Sequence, residues 1–149
     1  MSLRLFETIH GHFGVLAAAA LLHPAILLRK GKPLTRGMQL AVVLSTTAVV
    51  LAFATGLWIY PSYRDFVRPS LFRASARAGF LFETKEHLAF AVMALSIGAC
   101  ACVLLAPREA RALRKAAAAS YAVGAGLCVI TVCLGSYIAS VQGFSSAPP

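Results

Sequence analysis

The chain has 149 residues, of which 59% are hydrophobic and 13% charged; its mean hydropathy is +0.77 and its net charge +9. A soluble domain carries about 25% charged residues, so this composition excludes an ordinary water-soluble globule and reads as one integral membrane domain over 1–149 in contact with the lipid bilayer. The positive charge does not point to nucleic acid, because Lys and Arg fall mostly in the connections between apolar runs, where membrane insertion places them.

The first apolar run covers about 9–28. It opens on His10 and His12, carries His23 near its far end, and stops at the basic turn RKGKPLTR. Its n-region holds Glu7 beside a single Arg, and four positive charges follow it rather than a cleavage site, so it reads as a retained helix. The second run covers about 38–60 and is expected to end at Pro61. Its Ser45, Thr46, Thr47 and Thr55 read as interhelical hydrogen-bonding groups rather than a pathway. The connection from Tyr60 to Glu86 alternates aromatic and aliphatic residues with arginines. It predicts a short interfacial amphipathic helix, with Phe66, Leu71, Phe72, Phe80 and Phe82 on lipid and Arg64, Arg68, Arg73 and Arg77 toward water. The third run, about 80–106, opens on His87 and ends at Pro107. The fourth covers about 116–141 and contains the seam Ser120, Gly124 and Cys128, which faces either the bundle or a partner. Each run is long enough to cross a hydrocarbon core of about 30 Å. The fold class is therefore all-α: a four-span, up-down helix bundle. The cysteines, Cys100, Cys102, Cys128 and Cys133, lack metal spacing and read as small packing residues.

Basic residues set the expected orientation. The connections 29–37 and 107–115 carry eight (Arg29, Lys30, Lys32, Arg36, Arg108, Arg111, Arg114, Lys115), and the other side carries six (Arg4, Arg64, Arg68, Arg73, Arg77, Lys85). The excess places both termini outside the cytoplasm, as for a protein of a bacterial inner membrane.

Three of the four histidines then share the outer end with most of the acids. Polar groups at membrane depth are costly and tend to be functional. His12 and His87 stand at matched depth at the starts of the first and third runs, the minimum for bis-histidine ligation of haem b. Below His87, Ala91, Ala94, Gly98 and Cys102 form a one-sided strip of small residues, with room for a flat group or for close helix packing. His10 is turned about 200° from His12 and is assigned a supporting or propionate contact. His12 and His23, eleven residues apart, share a face, so His23 marks a possible second level. A His/Glu metal site from His12, His87, Glu7 and Glu83 is the competing chemistry: Glu7 and His10 form an ExxH, and Glu83 lies one turn before His87. Interfacial histidines and solvated first-turn acids remain the plain alternative. No nucleotide, hydrolase or zinc-protease motif is present.

In span count and histidine depth the chain resembles the small four-helix membrane cytochromes b, including the cytochrome b561-like group. The resemblance implies haem b and electron transfer from a membrane donor such as a quinol, with another membrane subunit as a possible partner. It covers only the outer haem level, since the second and fourth runs and the inner end of the third hold no histidine. A non-enzymatic structural or assembly subunit of a larger membrane complex is the other reading that the sequence leaves open.

Overall fold

The computed structural model describes residues 3–142 other than 108, so Arg108 of the basic count lies outside the described residues. Its elements are α1 (Leu3–Leu28), α2 (Arg36–Ser62), a π-helical turn (Tyr63–Val67), α3 (Arg68–Ala74), α4 (Ala76–Leu105) and α5 (Arg111–Gln142). The four long helices are long and apolar enough to cross a membrane, and the described residues include no strand.

The helices run past the apolar blocks because their polar flanks carry good helix starts. Thr35 accepts a hydrogen bond from the Met38 N–H at 3.3 Å, and Ser75 accepts one from Ala78 at 3.3 Å; both are N-cap bonds that satisfy an otherwise orphaned donor. α4 stops where Ala106, the residue before Pro107, turns extended, as the proline ring requires. Pro61 does not end α2. The helix carries it to Ser62 and then widens into the π turn, in which the Arg68 N–H reaches back to the Tyr63 carbonyl. The π turn lies just before Pro69, whose ring removes a donor and crowds the preceding turn; widening the coil absorbs this without a break.

α1 packs against α2 and α5, and α4 packs against α5 and α2. The long helices thus sit at the corners of a square with α1 and α4 on a diagonal. Leu21, Leu28, Val42, Val103 and Tyr121 are completely buried at its centre. Hydroxyls tie the walls together: Ser45 donates to the Ala20 carbonyl at 2.8 Å, and Thr46 pairs with the Tyr121 hydroxyl at 2.9 Å. Ser45 and Thr46 therefore act as the expected interhelical groups. The seam of α5 points inward, with Gly124 and Cys128 buried and the Cys128 thiol 3.7 Å from the Gly14 carbonyl.

The connection before α4 departs from its expected pattern. Phe66 and Phe80 are exposed, but Leu71 and Phe82 are buried with Val67, Ala78 and Ile138 in a second small core. Phe72 lies flat on the backbone at Gly79, where a Cβ would meet its ring at 2.7 Å. α3 is a seven-residue plug on the end of the bundle, because its apolar side has α4 and α5 to bury against.

Candidate functional site

The antiparallel order brings the starts of α1 and α4 to the same end as the finishes of α2 and α5. On α1, Ala17, Leu21 and Leu28 define the buried face. His10 precedes them by 7, 11 and 18 residues, offsets that keep it within about 20° of that face. Its Nδ1 lies 3.0 Å from the Ala52 carbonyl and 3.4 Å from the Thr55 hydroxyl. The Thr55 hydroxyl itself bonds to the Leu51 and Ala52 carbonyls, so Nδ1 carries the proton and donates it to Ala52, leaving Nε2 as the lone pair. The ring occupies the space above Gly56: a Cβ there would sit 2.8 Å from its Cε1.

α4 repeats the arrangement with a lysine. Lys85 precedes the buried Val92, Ser96 and Val103 by the same 7, 11 and 18 residues. It reaches across the bundle end within electrostatic range of His10. Its ammonium lies 5.9 Å from the centre of the Phe82 ring, and its side chain passes over Gly135 of α5, with Nζ 3.7 Å from where a Cβ would stand. A cation on this inward face is costly unless ring and charge partners offset its desolvation; Glu86 next to it is one such partner.

Acids and aromatics surround this pair. Tyr63 stacks on Phe82 with centroids 6.0 Å apart, and Glu7 of α1 lies beside the Tyr63 hydroxyl. Arg68 donates through Nε, at 3.1 Å, and through Nη2 to one oxygen of Glu83, and its guanidinium lies over Phe72 at 5.1 Å. One carboxylate oxygen of Glu86 is shielded from solvent without a hydrogen-bond donor, within the fields of Lys85 and Arg68. The end of the bundle is thus a compact polar cap of His10, Lys85, Glu86, Glu7 and Tyr63.

The histidines singled out as ligands lie elsewhere. His12, His23 and His87 are all exposed. The Nδ1 of His12 bonds to the Thr8 carbonyl and that of His87 to the Glu83 carbonyl, each at 2.7 Å and each one turn back on its own helix. His12 and His87 share the expected end. They stand on diagonal helices and point away from the bundle, so one chain does not bring them to a common iron. Of the two, His10 and not the expected ligand His12 turns inward, because the buried stripe of α1 runs through His10. Among the described residues no group of three or more His, Cys, Asp or Glu is arranged to hold a metal ion. Glu83 is taken by Arg68 and Glu7 sits at Tyr63, so the expected His/Glu metal site does not assemble.

The small-residue strip of α4 also faces outward. Ala91, Ala94, Gly98 and Cys102 line an open groove of about 490 Å³ against Ala117 and Ser120 of α5. Lys85 and Tyr63 are the residues that sequence reading missed; the spacing of Lys85 to Val92, Ser96 and Val103 identifies it only once those residues are known to be buried. Comparison with protein-family models, characterised proteins and solved structures yields no match to this chain.

Proposed function

We propose that the chain is a haem-b-binding membrane subunit in electron transfer, presenting its ligands outward to a second chain. The observation that carries this reading is the posture of His12 and His87. A hydrogen bond from Nδ1–H to a carbonyl fixes the tautomer, orients the ring and raises the basicity of Nε2. In both residues that leaves Nε2 to ligate on the outer surface at one end of the bundle. Haem b bound low-spin takes one such nitrogen on each face of the ring; in this reading His12 of one copy and His87 of a second copy supply them. The residues of a single chain do not fit bis-histidine ligation, so this reading requires a site between two chains. The shallow strip below His87 offers an apolar wall for a macrocycle edge.

In this reading the histidine end faces the outside of a bacterial inner membrane, in line with the excess of basic residues in the two short connections. α3 lies at that interface, with Trp58, Tyr60 and Tyr63 in the aromatic belt. A quinol is the fitting membrane donor, because the ligands stand at headgroup depth.

The test is a reduced-minus-oxidised spectrum of the protein, isolated in mild detergent from haem-replete membranes of its own host with its partners retained. A low-spin haem b signal is expected. His12→Ala and His87→Ala each abolish it, and His23→Ala retains it. A colourless wild-type complex overturns the proposal.

A structural or assembly subunit of a larger membrane complex is the second reading. The filled interior favours it: Leu21, Leu28, Val42, Val103 and Tyr121 occupy the space between the four helices. It is the reading left standing by a colourless complex.

A further inference from the structure

At the end of the bundle opposite His10, His12 and His87, α1 and α5 leave an open groove of about 440 Å³. Its walls are apolar, with Leu22 and Ile26 on one side and Ala119 and Ala122 on the other, and its mouth carries Arg29 and Lys115. The alanines of α5 make the space, since larger side chains there would close it against α1.

The two cations are held in register. The turn after α1 reverses at Gly31, whose φ of +63° suits glycine, and a Cβ there would meet the Arg111 side chain at 2.5 Å. The buried Arg114 donates from Nε, at 3.3 Å, and from Nη2, at 3.2 Å, to the Gly31 carbonyl. That clamp fixes the start of α5, and with it Lys115, against the turn that carries Arg29. Both cations are exposed. The one ion pair among the described residues, Arg68 with Glu83, lies at the opposite end.

A groove on the lipid-facing side of a membrane helix pair is filled by hydrocarbon, and two fixed cations at its headgroup end select for negative charge. We infer that this groove binds an anionic phospholipid, with one acyl chain between α1 and α5 and the phosphate between Arg29 and Lys115. The inference depends on the membrane location of the chain and not on haem.

The full-length protein in neutral detergent is titrated with phosphatidylglycerol and with phosphatidylcholine of the same chains, and bound lipid is counted by native mass spectrometry. Phosphatidylglycerol is expected to bind and phosphatidylcholine to bind much more weakly. Arg29→Gln and Lys115→Gln should each weaken binding about fivefold, and the double variant about 25-fold. The control Lys30→Gln/Lys32→Gln removes the same charge from the same turn outside the groove, and should change affinity by less than about twofold. Ala119→Phe, on an exposed position, should block the groove and abolish binding with both cations intact. Equal binding of the two lipids, an equal loss in the Lys30/Lys32 control, or full binding by Ala119→Phe would each overturn the inference. So would tight binding of glycerol phosphate, which carries the headgroup charge without a chain.

Discussion

His10 and Gly56 form one packing unit, and their coupling makes a test that reverses sign. Alanine in place of glycine inside a helix normally stabilises it by about 1 kcal/mol. At position 56 the added Cβ falls 2.8 Å from the His10 Cε1, and the ring is tied to Ala52. Overpacking of that kind costs about 1–3 kcal/mol, so the clash wins and Gly56→Ala is expected to destabilise. In a His10→Ala background the obstacle is gone, and the same substitution should stabilise by up to about 1 kcal/mol. Unfolding of the four variants in mixed micelles measures both values; stabilisation by Gly56→Ala in the wild-type background would refute the packing described. A plainer test is Tyr121→Phe, which removes the buried hydroxyl bonded to Thr46 and should cost about 1 kcal/mol in the same assay. The sequence made the histidines visible but not their directions. α1 is apolar on every side, so its pattern contains no polar face from which to infer the inward one. The direction of His10 follows only once Ala17, Leu21 and Leu28 are known to be buried.

At the scale of elements, the turn between α1 and α2 depends on α5 for its shape. Arg114 is 3% exposed and spends two donors on the Gly31 carbonyl. Arg114→Leu leaves that carbonyl without its charged donors and should cost about 1–3 kcal/mol. The loss is local, so the readout is tryptic cleavage after Lys30, which should accelerate in the variant while the helices stay folded. Unchanged cleavage would mean that the turn holds its shape without α5. Glu83→Gln at the other end is the contrast. Its pair with Arg68 is half exposed, at 34% and 45%, and solvent screens such a pair, so Glu83→Gln should leave the stability of the fold nearly unchanged in the mixed-micelle unfolding assay. The long helices were legible in the sequence because each apolar run exceeds what a soluble helix needs. Their limits were less so: Thr35 and Ser75 start helices earlier than apolarity suggests, and α2 runs on through Pro61 into the π turn. The destination of Leu71 and Phe82 was not legible, because an amphipathic stretch buries its apolar side equally well against lipid or protein.

For the whole molecule, the square of antiparallel helices puts the chemically mixed residues at one end and an almost purely basic set at the other. The alternation of ends was legible from short connections, which leave neighbouring helices little choice but to run antiparallel. The diagonal placement of α1 and α4 was not, since span lengths and charges are the same for any cyclic order, and that placement separates His12 from His87. The two ends predict opposite exposure to the aqueous phases. Ser62, at the finish of α2, and Thr35, at its start, mark them. Cysteines introduced singly at these positions report which end faces out, in a background where Cys100, Cys102, Cys128 and Cys133 are alanine. That background should fold, because the four thiols are free and only Cys128 is buried. A membrane-impermeant thiol reagent applied to intact cells should label position 62 and spare position 35; position 35 should label only after the membrane is opened. The basis is the count of eight basic residues against six, a modest bias under a rule that counts Lys and Arg and ignores acids. Labelling of position 35 in intact cells, with protection of position 62, would invert the molecule. It would put the polar cap of His10, Lys85 and Glu86 on the cytoplasmic side and move the cations of the α1–α5 groove to the outer leaflet.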